Sequence, residues 1–274
     1  MMMGGAAPFV GALDAYATSL VHLYDPARRW LTAYTGNLVL LRRASDNAEL
    51  AFGATATGEL DLAAIAAWAG GASYIVTLYD QKGTDNVTQA TAANQPLFTA
   101  SAQNGHAGMT FDGTNDYLQG AFTNGGALSQ PLHMIAIARL DASVVNDNSN
   151  RTVSDGDDAA NRGVVIYKGA GTDPDTFESS FGTTLIGPTA DSNANLFTSL
   201  GSGVNSTIRM NGALKATGNA GAKAPDGLTV GTFFGLAGQY WKGWIAALLI
   251  FAPALSDANR NAVEGILNTY WAVY

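Results

Sequence analysis

With 274 residues and only 13% of them charged, the chain is long enough to bury a large core, and its formal net charge is −8. That balance excludes the clustered Lys and Arg a nucleic-acid backbone demands, and it disfavours anionic membrane surfaces. The absence of cysteine excludes disulfides and thiolate metal centres, and no apolar run reaches the roughly 20 residues of a membrane-spanning helix.

Ala, Gly, Thr, Ser and Asn fill the surface role usually taken by Lys and Glu, and most acidic residues are Asp, a residue of turns rather than helix interiors. The composition reads β-rich. Residues 1–12 carry no periodicity and read as a loose tail, or as an arm docking on a partner through Phe9 and Val10. The first cationic residue is Arg28, so no signal peptide is expected.

From Leu13 the apolar positions Leu13, Tyr16, Ala17, Leu20 and Tyr24 fall at helical spacing, which predicts a helix ended by Pro26. Leu38–Arg43 reads as a strand. A short helix is predicted at Asp61–Ala69, with Asp61 as N-cap and Gly70-Gly71 as the stop. Tyr74–Tyr79 and His133–Leu140 read as strands, Val144–Arg162 as a long loop, and Gly163–Lys168 as a buried strand. Strand Phe177–Phe181 is expected between loops at Thr172–Glu178 and Gly187–Asn195. Asn211-Gly212, between Ser206–Met210 and Ala213–Ala216, predicts a type I′ hairpin. Strands at Leu228–Phe233 and Gly243–Phe251 precede a helix capped by Ser256-Asp257, with Val263, Ile266, Leu267, Tyr270 and Trp271 as its apolar stripe.

Residues 32–98, with "YTGNLVLLRRASD" and then "LYDQ", resemble the opening of family-54-type α-L-arabinofuranosidase catalytic domains. Residues 206–271, with "GWIAALLIF" and then "LSDANR", resemble the closing half of laminin-G-like domains. The combination is similar to concanavalin-A-like domains of bacteriophage structural proteins. The resemblance implies an all-β, two-sheet antiparallel jelly-roll sandwich with a short N-terminal helical region and a C-terminal helix. It divides the chain into an arm and helix over 1–31 and a jelly roll over 32–274.

Retaining glycosidases need two carboxyl groups about 5–5.5 Å apart. Of Glu49, Glu59, Glu178 and Glu264, only Glu178 falls where the family's nucleophile would lie, and its setting, Thr-Phe-Glu-Ser-Ser, departs from the family's Asp-Leu-Glu-Asn-Gly. Gly231–Gly235 lacks the aspartate that the family places after a Gly-Gly. A chain that is not an enzyme is therefore expected. Asp80, Asp85, Asp112 and Asp116 are candidate calcium ligands, the alternative being that each caps its own turn. Asp155, Asp157 and Asp158 form a second acidic cluster, read as a solvated loop. Tyr240 and Trp241 are the candidate sugar-stacking pair.

The expected function is a structural or adhesion protein on the surface of a phage-like virion, as a head decoration, head fibre or tail component. Its expected partners are other virion proteins, copies of itself and a host-surface glycan, without nucleic acid or membrane insertion, after synthesis in the host cytoplasm. Two alternatives stay open: an arabinofuranosidase-like glycosidase and a free carbohydrate-binding module.

Overall fold

The computed structural model describes residues 8–123, 126–169, 174–235 and 238–274. Residues 1–7 of the expected tail and 172–173 of an expected loop lie outside them. In chain order the strands are β1 (Leu20–Tyr24), β2 (Asn37–Arg43), β3 (Glu49–Gly53), β4 (Ser73–Leu78), β5 (Val87–Thr88), β6 (Leu97–Gln103), β7 (His106–Asp112), β8 (Leu118–Ala121) and β9 (Leu132–Leu140). They continue as β10 (Arg151–Thr152), β11 (Ser154–Asp155), β12 (Val164–Gly169), β13 (Thr176–Ser180), β14 (Thr184–Thr189), β15 (Ala194–Gly201), β16 (Ser206–Met210), β17 (Ala213–Gly218), β18 (Gly227–Val230) and β19 (Lys242–Phe251). The helices are α1 (Leu62–Ala69) and α2 (Asp257–Trp271).

Two antiparallel sheets form, as the sandwich prediction requires. The small one runs β10-β12-β13-β14, and the remaining strands make the large one, with β19 and β9 adjacent at its centre. Both central strands are apolar almost throughout, LHMIAIARL and KGWIAALLIF, because both of their faces are covered. Each fully buried Leu or Ile there contributes about 1.5–3 kcal/mol, which makes this pair the heart of the core. The small sheet packs on the large one through Phe177 against Phe197, ring centroids 4.9 Å apart, and through a Ser179–Ser199 hydroxyl contact.

Local signals came through where a few neighbouring residues decide the backbone. Asp61 accepts the Ala64 N–H at 2.9 Å and Gly70 takes φ +61°, bounding α1 as predicted. Asn211 and Gly212 take φ +55° and +74°, the geometry a type I′ hairpin needs. Ser256 caps α2, and Val263, Leu267, Tyr270 and Trp271 are buried along it.

The helix predicted over residues 13–24 is not there. Asp14–Tyr16 is one 3-10 turn, and Leu20–Tyr24 is β1, paired antiparallel with β19. Its buried–intermediate–buried–buried–buried pattern shows a strand covered on both sides, for which helical spacing of its large residues is incidental. The loop predicted over 144–162 contains β10 and β11, and the loop predicted over 187–195 is largely the end of β14 and the start of β15.

Candidate functional site

The outer face of the small sheet carries Glu178. Antiparallel pairing sets Thr152 opposite Tyr167, Tyr167 opposite Glu178, and Glu178 opposite Ile186, so these four side chains share one face. The opposite face, with Phe177 and Ser179, packs into the sandwich. Ile186 is 54% exposed, which marks the Glu178 face as the outer one.

Glu178 itself is well shielded, at 6% exposure. Its Oε1 accepts the Thr176 hydroxyl at 3.0 Å, and its carboxyl lies directly over the Cα of Gly169. The Tyr167 hydroxyl sits 3.0 Å from that of Thr184; burial, and after it the neighbouring Glu178, pushes the phenol's pKa upward. Beyond Tyr167, Arg162 reaches Asp155 Oδ2 at 3.0 Å and lies over the rings of Phe233 and Phe234, at 4.9 and 5.3 Å. Burial raises the Asp155 carboxyl, with Arg162 pulling against it. The face thus offers the Glu178 carboxylate beside the Tyr167 phenol, with Arg162 near enough to the phenol to act on its charge. Only Glu178 of these stood out in the sequence; the alternation of Tyr167 with buried Ile166 and Lys168 was the available signal for the rest.

The proposed stacking pair is split by the structure. Trp241 is wholly buried and belongs to the core, so it is not a sugar platform. Tyr240 is half-buried and bridges Thr152 at the edge of the small sheet. The row Tyr240–Thr152–Tyr167–Glu178 therefore spans three strand spacings, about 14 Å. That width suits one or two sugar rings.

Asp80, Asp85, Asp112 and Asp116 do not gather into one calcium site. Asp80 accepts from His22 at 2.8 Å and from the backbone of Leu23 and Lys82, tying β1 to the turn after β4. Asp85 accepts the Thr123 N–H at 2.9 Å. Asp112 caps its own turn through the Thr114 N–H, and Asp116 accepts the Asp112 N–H. Burial, and then the charge of Asp112, pushes Asp116 up to about 7 against that hydrogen bond. Among the described residues, the carboxylates close enough to share one ion are Asp157, Asp158 and Asp226. Burial and the contact with Asp226 raise Asp157 to about 6. At the N-terminus, Phe9 packs under the Arg29 guanidinium, 3.9 Å away, while Val10 is 73% exposed.

The fold is a two-sheet antiparallel β-sandwich with Glu178 on the outer face of its small sheet. No protein-family model matches the chain, and no curated protein matches it in sequence. Solved structures do. An arabinofuranosidase complexed with arabinofuranosyl-α-1,2-xylobiose overlays 93% of the chain with a TM-score of 0.69 at 16% identity. A family-54 α-L-arabinofuranosidase soaked with a cyclic sulfate inhibitor gives 0.67 at 17% identity over the same share. The receptor-binding domain of botulinum neurotoxin C/D mosaic serotype overlays 94% with a TM-score of 0.58 at 11% identity. The chain spans 64% of the arabinofuranosidase chains and 55% of the neurotoxin domain. These likenesses establish the fold. They also overturn the expectation that the chain is not an enzyme: nearly all of it takes the shape of working glycosidases, and a count of carboxylates in sequence is no ground for setting catalysis aside.

Proposed function

We propose that the chain is a carbohydrate-active domain that takes a terminal pentofuranosyl unit on the outer face of the small sheet. Glu178 is its reacting carboxylate, Tyr167 and Arg162 its positioning groups, and Tyr240 the outer wall. The observation that carries this reading is the placement of Glu178 beside Tyr167 at the inner end of a sugar-wide row that Tyr240 closes at the sheet edge, on a fold shared with enzymes solved with arabinofuranosyl ligands. A glutamate-to-glutamine mutant of one such enzyme was soaked with 4-nitrophenyl α-L-arabinofuranoside, and that compound is the direct probe here. Nitrophenol release by the chain, lost in Glu178→Gln while the variant still binds the glycoside, is the expected result. Neither release nor saturable binding of the arabinoside, or of arabinosylated xylo-oligosaccharides, would sink the reading.

A second reading, an adhesion component on a phage-like particle, rests on the low-charge surface and on Val10, exposed beside a docked Phe9. Mass spectrometry of purified particles from the source culture tests it: the chain is expected among the particle proteins, and its absence refutes that placement.

A further inference from the structure

A pocket of about 550 Å³ lies over the large sheet and shares none of its residues with the Glu178 face. Its floor is one cross-strand row. Arg42 on β2 pairs with Tyr74 on β4, Tyr74 with Leu97 on β6, and Leu97 with Thr110 on β7. Residues opposite each other in antiparallel strands point to the same face, so four strands present these side chains side by side. Asp112, the last residue of β7, and Asp116, from the turn after it, close one end.

Arg42 is the unusual member. It is 8% exposed, yet every partner it has is a neutral oxygen: Nε donates to Gln95 Oε1 at 2.6 Å, Nη1 to Asn47 Oδ1 at 2.9 Å and Nη2 to the Ala92 carbonyl at 3.2 Å. The same contacts hold the guanidinium over the Tyr74 ring, 4.9 Å from its centre. Among the described residues no carboxylate comes within ion-pair distance of it, whereas Arg43, next in sequence, pairs with Asp46 at 2.7 Å. Buried charges are ordinarily paired, because desolvation is otherwise uncompensated. This one is oriented and left without a counter-ion, on the wall of a cavity.

The far end carries the opposite charge, with Asp112 exposed and Asp116 buried. Asp112 Oδ1 is taken by the Thr114 and Asn115 amides, and Asp116 Oδ2 by the Asp112 amide. The second oxygen of each carboxyl has no protein donor among the described residues. The two poles line one pocket without closing an ion pair, so a ligand that brings an anionic group to one and hydroxyl donors to the other matches both. An inorganic anion would satisfy Arg42 and face Asp112 unfavourably; a neutral hexose would satisfy the carboxyls and leave Arg42 unpaired.

We propose that this pocket binds a hexuronic acid unit, its carboxylate on Arg42 and its ring hydroxyls on Asp112 and Asp116, with Tyr74 and Leu97 beneath the ring. The volume is in the range of pockets that hold such ligands. The site is separate from the reading of Glu178 and stands or falls without it.

Calorimetric or chemical-shift titration of the full chain with glucuronate, galacturonate, glucose, methyl glucuronate ester and acetate tests the assignment. Saturable binding of a uronate, at least about tenfold tighter than its neutral ester or glucose and than acetate, is expected from one charge-assisted contact. Arg42→Met should abolish that preference. Because Arg42 also holds Gln95 and Ala92 in place, Asp112→Asn serves as the second variant: its turn bond to Thr114 survives, and uronate affinity should fall by roughly tenfold. Glu178→Gln should leave uronate binding unchanged, which separates this site from the other. Equal binding of uronate and glucose, equal binding of uronate and acetate, loss in Glu178→Gln, or no binding would each overturn the proposal.

Discussion

Lys168 is wholly buried, and its ammonium touches Asp147 Oδ1 at 2.6 Å and Asp175 Oδ2 at 2.5 Å. Asp147 is further tied to Arg151, whose strand pairs Arg151 with Lys168 itself. Replacing Lys168 by Met keeps the length and removes the charge. Asp147 can lean on Arg151 and is 22% exposed, but the Asp175 side chain is 3% exposed and loses its cation. An uncompensated buried carboxylate of that kind costs about 3–5 kcal/mol. For a domain of this size that corresponds to a loss of roughly 10 °C in melting temperature. Urea denaturation followed by tryptophan fluorescence, beside a calorimetric scan, reads both numbers. Asp147→Asn should cost less than half as much. The same lesion loosens β12, whose Tyr167 and Gly169 lie against Glu178, so glycan binding should weaken before the protein melts. A Lys168→Met protein within about 1 kcal/mol of the parent would refute the claim that this ion cluster fixes the small sheet to its neighbours.

Three further outcomes follow from named contacts. A Cβ on Gly169 would stand 2.2 Å from Glu178 Oε1, and its φ is not in the left-handed region, so Gly169→Ala should fold normally and lose glycan binding at least about tenfold by isothermal titration. Trp241→Ala should cost about 3–5 kcal/mol in urea titrations, as loss of a fully buried indole does, whereas Tyr240→Ala should leave stability nearly unchanged and weaken glycan affinity. Asp25 is fully buried; burial raises it from 3.8 to about 7 against the Trp30 Nε1–H bond and the Ala27 amide. Below about pH 4 both folded and unfolded states are protonated and its contribution is fully present; between about pH 4 and 7 the native state binds more proton, and stability is lost as pH rises through that window, by at most about 4 kcal/mol. Stability curves from pH 4 to 8 should therefore be flatter in Asp25→Asn than in the parent, and parallel curves would contradict the burial effect.

What the sequence made legible was whatever three or four consecutive residues decide. Asp61 and Gly70 bound α1, Asn211-Gly212 folds its hairpin and Ser256 starts α2, each through contacts no more than a turn away. What it hid was polarity satisfied at long range. β1 carries His22 in a buried position because Asp80, 58 residues on, accepts its Nδ1 proton. β15 lacks an apolar alternation because Asn195 and Ser199 are buried, with Asn195 bonded by Asn211 and Ser199 meeting Ser179. The same blindness governs the sites. Glu178 could be singled out as a glutamate in the right stretch, but Tyr167, which flanks it, becomes its neighbour only through the register of β12 on β13. Asp112 and Asp116 are visible in the sequence as acids, fit for calcium or for capping their own turn; they bond that turn, and the group across the pocket from them is a cation, brought there by pairings across β2, β4, β6 and β7. A cluster of acids invites a metal when read alone; set across a cavity from a buried, unneutralised guanidinium, the same two residues become acceptors for a ligand that must carry a negative charge of its own. Register therefore settles the chemistry here more than composition does, and the Arg42 titrations are the measurement on which that ordering rests.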